Sequence, residues 1–184
     1  MKKYQIIYAD PPWRYDFSKD SADKIENHYQ TMSLEEIKNL NVPSDDNSVL
    51  YLWATAPKLL EALEVMRAWG FKYKTQAVWD KAWIGMGYWF RGQHEILLVG
   101  TKGKFSPPTP KHRVSSVYKE QRTTHSKKPS FFRQMISAAF PEESKLEMFA
   151  RKPTGQLFED ESFKGWDVWG NEVESDIDLG TKEV

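Results

Sequence analysis

A chain of 184 residues, 40% of them hydrophobic and 28% charged, has the size and composition of one globular domain that can bury a core. The absence of cysteine excludes disulfides and thiolate zinc sites, and no metal site is expected. The charges of the 26 basic and 26 acidic residues cancel. The sequence has neither a signal-peptide core nor an apolar run of membrane-spanning length, so we expect a cytoplasmic protein without membrane contact.

The first half of the chain predicts three strands and two helices. A buried strand over residues 5–9 ends at Asp10, because Pro11-Pro12 cannot donate to a strand ladder. An aperiodic polar and aromatic segment over residues 14–32 is expected to be a loop. Further strands are predicted over residues 49–53 and 72–79, with one helix opened by the capping-box spacing of Ser33 and Glu36 and another running from Pro57 to Gly70.

The second half predicts three more strands, over residues 95–99, 145–150 and 166–169, and one helix that opens at Pro129. Residues 81–92 contain three glycines among bulky aromatic side chains, and residues 100–126 contain three prolines, which is typical of irregular structure. The acidic stretch from Glu174 onward is almost free of large apolar groups. We therefore expect one folded domain over residues 1–173 and a disordered, frayed tail over residues 174–184.

Strands that alternate with helices predict an α/β fold, in which a mostly parallel sheet is covered by helices on both faces. In such sheets ligands bind beyond the carboxyl ends of the strands. The segment Asp10-Pro11-Pro12-Trp13 follows the first predicted strand directly. It is therefore the first candidate for a functional site.

This segment presents hydrogen-bond acceptors and an aromatic ring. An aromatic amine such as adenine N6 is a poor nucleophile, because its lone pair is delocalised into the ring. The Asp10 carboxylate can accept one N–H of such an amine and the Pro11 carbonyl the other, which favours a pyramidal nitrogen, while Trp13 stacks on the base. The alternative is a simple turn capped by a packing Trp.

The neutral total charge conceals a basic stretch over residues 102–133, whereas acidic residues gather at residues 159–161 and in the tail. Such a stretch can follow a phosphate backbone, and the alternative is a solvated, lysine-rich loop. Together with the aromatic residues in the segment 83–90, which can stack on bases, it forms the predicted nucleic-acid surface at the same sheet end.

Several segments resemble, in order, the motifs of the Asp-Pro-Pro-Trp adenine-N6 methyltransferase family, which includes the catalytic subunit of the eukaryotic mRNA adenosine methyltransferase and small bacterial and phage members. The similarity covers nearly all of residues 4–172, and it implies a Rossmann-like methyltransferase sheet in permuted order, with the catalytic strand first and the cofactor strand late. The matching segments are residues 10–13, 28–33, 50–53, 94–100, 125–129, 146–151 and 165–172.

The resemblance implies a methyltransferase domain over residues 1–173 that uses S-adenosylmethionine to methylate adenine N6 in nucleic acid. It assigns catalysis to Asp10, Pro11, Pro12 and Trp13. It places at the cofactor Asp10, Lys128 on the methionine carboxylate, Phe149, Arg151 near the ribose, and Asn171 with Glu172 on the ribose hydroxyls. The expected substrate contacts are Trp13, with Tyr29 and Glu95 from the resemblance and Lys102, Lys104, Arg113 and Arg122 from the basic stretch.

The chain departs from the family pattern at the cofactor. No Gly-x-Gly loop follows the cofactor strand, and no counterpart is identified for the family's segment that contacts the cofactor base. The residues that hold the cofactor adenine are therefore unassigned, with Pro153 and Gln156 as candidates.

A base inside a duplex cannot reach Asp10, so the target is expected to be flipped out or single-stranded. The small stand-alone members of the family favour DNA as the substrate, with RNA as the alternative. Two other functions remain open: a non-catalytic nucleic-acid-binding partner of an active methyltransferase, and a methyltransferase of another amine such as cytosine N4. A homodimer or a partner subunit is compatible with the sequence.

Overall fold

A computed structural model describes residues 2–15, 31–122, 127–151 and 161–179 of the chain. These residues form three α-helices, three short 3₁₀ turns and one seven-stranded sheet. In chain order the elements are β1 (Tyr4–Ala9), α1 (Leu34–Lys38), β2 (Ser44–Ala54), α2 (Leu59–Ala68), β3 (Lys72–Asp80), β4 (His94–Lys102), β5 (Val117–Lys119), α3 (Ser130–Ala139), β6 (Lys145–Met148) and β7 (Trp166–Trp169).

The strands lie in the order β5-β3-β4-β2-β1-β6-β7. Neighbouring strands are parallel except at β4, which runs antiparallel to both β2 and β3. The predicted α/β fold with a mostly parallel sheet is therefore confirmed. The chain passes from β1 to β2 on one side and from β6 to β7 on the other, so the strand order reverses between β1 and β6. In open α/β sheets, ligands bind at the carboxyl ends of the strands at such a reversal.

The alternation of side chains along each strand builds two separate cores. Ile7 and Leu52 belong to the core that contains the buried side chains of α1 and α2. Ile6 and Tyr8 belong to the other core, which includes Phe132 of α3. Because successive strand residues point to opposite faces, the helices cover both faces of the sheet, as predicted.

Local signals account for most element ends. The Ser33 hydroxyl accepts a hydrogen bond from the Glu36 amide, and the Glu36 carboxylate accepts one from the Ser33 amide, which completes the predicted capping box. Gly70 has a φ of +84°, the left-handed conformation with which glycine ends a helix. Within the described ranges no helix is long and apolar enough to cross a membrane.

Residues 174–179, which follow β7, are held against the domain and are not the frayed tail expected from Glu174. The Asp176 amide donates to the Val168 carbonyl at 2.9 Å, and its carboxylate accepts from the Val168 amide at 2.8 Å. Leu179 is buried against the core that contains α1 and α2. One hydrogen-bonding aspartate and one apolar anchor are enough to hold this acidic segment in place; residues 180–184 lie outside the described ranges.

Candidate functional site

The carboxyl ends of β1, β6 and β7 meet at one edge of the sheet. The register pairs Ala9 with Met148 and Met148 with Trp169, so the residues that follow these three strands lie side by side. They are Asp10, Phe149 and Gly170. We call this edge the catalytic edge, because it carries the predicted acceptor segment.

Asp10 forms an ion pair with Lys128 at the catalytic edge. The Lys128 ammonium donates to Asp10 Oδ2 at 2.6 Å, and the two side chains are 10% and 25% exposed. Lys128 lies just before α3, and Pro129 between them is buried, which anchors the chain at this point. The ammonium also lies 5.6 Å from the centre of the Trp53 ring.

Glu95, at the start of β4, extends this pair into a line of alternating charges. Its Oε2 lies 3.3 Å from the Lys128 ammonium, and its Oε1 lies 3.5 Å from the Lys81 ammonium. All of these side chains are mostly shielded from water. The line Lys81–Glu95–Lys128–Asp10 is neutral as a whole, so each charge is balanced where hydration is weak.

The pKa values of the pair follow from this shielding. Burial raises the pKa of the Asp10 carboxyl above its usual value, although the neighbouring Lys128 ammonium acts against the change. For Lys128, burial alone would lower the pKa, but the Asp10 and Glu95 carboxylates outweigh it and raise the pKa. Lys128 therefore stays charged at neutral pH, and Asp10 loses its charge at a higher pH than an exposed aspartate.

Pro11 and Trp13 take part in local structure. The Pro11 carbonyl accepts the Trp13 amide at 2.9 Å, and its second lone pair can accept a further donor. The Trp13 side chain is only 6% exposed, and its indole N–H donates to the Trp53 carbonyl at 3.2 Å. In this structure the indole therefore packs in the core, as in the packing alternative, and stacking of Trp13 on a base stays a prediction.

The predicted cofactor residues other than Lys128 converge on one small cavity. Phe149 has a φ of +61°, which is uncommon for a residue with a side chain and turns the backbone sharply at the end of β6. A methyl group at Gly170 would lie 2.8 Å from the backbone nitrogen and oxygen of Ala150, so glycine allows this close approach. The cavity is lined by Asp10, Pro12, Phe149, Ala150, Arg151, Asn171 and Glu172.

The chemistry of these side chains suits S-adenosylmethionine. Arg151 supplies a cation, and Asn171 and Glu172 supply the amide and carboxylate that suit a vicinal diol. The cavity among the described residues measures about 30 Å³, which is room for little more than water. Arg151 Nε lies 3.1 Å from Glu172 Oε1, so this exposed pair has to separate to admit a ligand of nucleoside size.

Arg122 is the member of the predicted phosphate contacts that lies near the catalytic edge. It follows the carboxyl end of β5, and its amide donates to the Lys81 carbonyl at 3.2 Å. Its guanidinium lies 5.3 Å from the centre of the Trp83 ring, which is half exposed. The aromatic segment 83–90 therefore starts beside this cation. Tyr29, predicted on the substrate loop, lies outside the described residues.

Lys102 and Lys104, predicted as phosphate contacts at the catalytic edge, lie instead towards the opposite edge of the sheet. Strand β4 runs antiparallel to β2, so it begins at the catalytic edge with Glu95 and ends at the opposite edge with Lys102. The Lys102 ammonium donates to the Ser44 hydroxyl at 3.2 Å, at the start of β2. The Lys104 amide donates to the Asn47 side chain in the same region.

Arg113 is also displaced from the catalytic edge, because it precedes the amino end of β5. Its Nε donates to the Pro108 carbonyl at 3.1 Å. It lies beside an open cavity of about 510 Å³ between the loop over residues 105–116 and the sheet face that carries α3. The floor of this cavity is apolar, with Tyr51, Leu97 and Phe140 among its members.

Lys81 is the residue at the catalytic edge that sequence reasoning missed. It follows Asp80 at the carboxyl end of β3 and lies directly before the aromatic segment. A lysine two residues after a predicted strand, at the edge where ligands bind, was the available signal.

Known proteins are similar to this chain over most of its length. The MT-A70 family model matches residues 4–172. The Mycoplasma type II methyltransferase M.MunI is 36% identical over 203 residues, which cover 98% of this chain and 83% of that protein. An Arabidopsis thaliana N(6)-adenosine-methyltransferase MT-A70-like protein is 27% identical, and the human N(6)-adenine-specific methyltransferase METTL4 is 24% identical. The alignments cover 92% and 94% of this chain but only 24% and 38% of those two proteins.

Proposed function

Because this chain belongs to the MT-A70 family and is therefore a methyltransferase, we propose that it transfers the methyl group of S-adenosylmethionine to the N6 amine of adenine in DNA. The observation that carries this proposal is the position of Asp10. Asp10 directly follows β1, next to the point where the strand order reverses, and its carboxylate lies between the Lys128 ammonium and the small cavity formed by Phe149, Arg151 and Glu172.

In this proposal the residues of the catalytic edge orient the amine. S-adenosylmethionine, when bound, supplies a methyl group already activated on a sulfonium. The Asp10 carboxylate accepts one N–H of the adenine amine, and the second lone pair of the Pro11 carbonyl accepts the other. As positive charge develops on the nitrogen, the Asp10 carboxylate stabilises it, and the excess proton then passes to water.

The cofactor residues have matching roles in the proposal. Lys128 and Arg151 are the cations at the catalytic edge that can meet the methionine carboxylate and the ribose side of the cofactor. Asn171 and Glu172, on the exposed turn after β7, hydrogen-bond the ribose hydroxyls. Glu95, whose Oε2 lies 3.3 Å from the Lys128 ammonium, is proposed to lie close to the target amine.

The comparisons support DNA as the substrate and adenine as the target base. The similarity to a type II methyltransferase covers 98% of this chain and 83% of that relative, whereas the plant adenosine methyltransferase is matched over 24% of its length. The relative described as N(6)-adenine-specific supports adenine as the target base. Arg122 and the aromatic segment 83–90 are the proposed contacts with phosphates and bases.

The test supplies methyl-labelled S-adenosylmethionine to the purified protein together with duplex DNA, single-stranded DNA or RNA. Each nucleic acid is then digested, and the labelled nucleoside is identified by chromatography and mass spectrometry. We expect N6-methyladenine in DNA from the wild-type chain. We expect Asp10→Asn to lower kcat by about a hundredfold to a thousandfold, because an amide cannot supply the negative charge at the reacting nitrogen.

Asp46→Asn is the matched control. Asp46 lies in β2 towards the opposite edge of the sheet, and its side chain is 84% exposed, so this variant should retain full activity. Cofactor affinity, measured by calorimetry, should stay nearly constant in Asp10→Asn. Full activity of Asp10→Asn would refute the mechanism, and labelled RNA or labelled cytosine would correct the substrate.

A further inference from the structure

The segment between β3 and β4 carries the largest exposed apolar side chains of the described residues. Tyr88 is fully exposed, Trp89 and Phe90 are 95% and 90% exposed, and Met86 is 86% exposed. Single exposed apolar side chains are common on protein surfaces, but a contiguous group of this size marks an interaction site. We call residues 86–90 the tip, and the whole segment over residues 81–93 the aromatic hairpin.

The aromatic hairpin is closed at its neck. The Gly85 amide donates to the Gly92 carbonyl at 2.9 Å, and the Gly92 amide donates to the Met86 carbonyl at 3.0 Å. Arg91 Nε donates to the Gly85 carbonyl at 2.6 Å. A methyl group at Gly87 would lie 2.0 Å from the Phe90 carbonyl oxygen, so the tip is folded tightly on itself. The aromatic rings are therefore presented on a preorganised support.

The root of the aromatic hairpin belongs to the catalytic edge. The Lys81 amide donates to the Gln93 carbonyl at 2.9 Å, and the Gln93 side chain donates to Asp80 Oδ1 at 2.8 Å. The Lys81 ammonium contacts Glu95, which contacts Lys128, the partner of Asp10. Two ion-paired side chains thus join the root to the carboxylate that receives the target amine.

The surroundings of the aromatic hairpin are basic. The Arg122 guanidinium lies over the Trp83 ring, exposed Arg91 belongs to the hairpin, and exposed Lys119 pairs in register with Asp80 just before the root. An apolar tip with cations at its neck and root complements a polymer with stacked aromatic bases inside and phosphates outside. This charge pattern favours nucleic acid over an apolar protein surface as the occupant.

We propose that Tyr88, Trp89 and Phe90 form a wedge that enters the base stack of duplex DNA and occupies the space left by the target adenine when it turns out towards Asp10. The inference rests on the proposed function and adds to it that the substrate is duplex. Proteins that extrude or unstack bases insert apolar side chains between base steps, and the cost of unstacking is recovered from contact with those side chains.

The experiment compares one adenine in three contexts. The methylated site is first identified by sequencing DNA treated with the wild-type chain. Oligonucleotides then carry that site as a matched duplex, as a duplex with the target adenine opposite an abasic position, and as a single strand. For Trp89→Ala/Phe90→Ala we expect kcat/KM on the matched duplex to fall about fivefold to a hundredfold, the range that stacking on aromatic side chains supports.

The loss on the single strand and on the abasic duplex should be at least about threefold smaller than on the matched duplex, because there the target base has no partner to leave. Both side chains are almost fully exposed, so their removal should not disturb folding. Leu60→Ala is the matched control: Leu60 is 73% exposed on α2, and its truncation should leave all three rates unchanged.

A second measurement follows extrusion without turnover. With 2-aminopurine at the target position of the matched duplex, wild-type chain and S-adenosylhomocysteine should raise the fluorescence, and Trp89→Ala/Phe90→Ala should not. Three outcomes would overturn the wedge while leaving the proposed function intact. They are equal losses on all three substrates, activity of the wild-type chain on single strands alone, and a variant whose only change is in oligomeric state. Absence of N6-methyladenine from every wild-type reaction would instead refute the proposed function.

Discussion

The ion pair between Arg133 and Glu147 gives the sharpest test of what holds the catalytic edge together. Arg133 of α3 donates from Nε to Glu147 Oε2 at 2.5 Å and from Nη2 to Glu147 Oε1 at 2.9 Å, and the side chains are 12% and 10% exposed. Its Nη1 also donates to the Ser162 hydroxyl at 2.6 Å. This contact joins α3 to β6. Lys128 lies just before α3, and β6 ends at the small cavity proposed for the cofactor.

Arg133→Met removes the cation and leaves a carboxylate in a shielded position. Breaking one side of a buried ion pair costs about 3–5 kcal/mol of the free energy of unfolding. For a chain of this size, each kcal/mol corresponds to about 2–4 °C in Tm, so we expect Tm to fall by about 6–20 °C. The double substitution Arg133→Met/Glu147→Met replaces the pair by apolar groups of similar volume and should be more stable than Arg133→Met alone.

Urea denaturation of the wild-type chain, both single variants and the double variant forms a double-mutant cycle. We expect a coupling energy of at least about 2 kcal/mol between the two positions. A loss below about 1 kcal/mol for Arg133→Met, or a double variant that loses the sum of the two singles, would refute the reasoning.

Three further predictions concern the site. In Lys128→Met, burial still raises the pKa of Asp10, and the ammonium that opposes this rise is gone. Because ionised Asp10 is the active form, the acidic limb of the kcat–pH profile at saturating cofactor should move to higher pH. Gly170→Ala should lower stability by about 1–3 kcal/mol in thermal unfolding, because its methyl group meets the Ala150 backbone. Arg151→Ala should weaken S-adenosylmethionine binding about tenfold in calorimetry, with unchanged circular dichroism.

The parts of the fold that were predicted correctly depend on local signals. The capping box of Ser33 and Glu36, the helix end at Gly70 and the strand end before Pro11 are decided by neighbouring residues. The docking of Leu179 depends on a core that no local pattern reveals. The short strand β5, too short to show a period, forms because β3 offers it an edge.

The candidate site divides in the same way. Phe149 and Glu172 come together with Asp10 because residues after parallel strands share one edge of the sheet, a rule that sequence order alone can apply. Lys102 was misplaced because the direction of β4 is a property of the whole sheet. The sequence left two roles open for Trp13, because a Trp after a strand suits stacking on a base and packing in a core equally well.

Lys128 contacts two carboxylates of the protein, and the family resemblance assigns it a third. In the structure it donates to Asp10 Oδ2 at 2.6 Å and lies 3.3 Å from Glu95, whereas the family resemblance assigns it to the carboxylate of the cofactor. An ammonium that turns towards the cofactor weakens its hold on Asp10 and leaves Oδ2 more able to accept the N–H of the adenine amine. Cofactor binding and base binding should therefore be coupled through this one side chain.

The coupling can be measured as an affinity difference. DNA that carries the target adenine should bind more tightly in the presence of S-adenosylhomocysteine, which has the carboxylate but no methyl group to transfer, by about fivefold or more. Its decarboxylated analogue occupies the same corner without an anion for Lys128 and should produce a smaller effect. Equal tightening by both analogues would show that the carboxylate is not the link, and it would leave Lys128 as a fixed partner of Asp10 throughout the reaction.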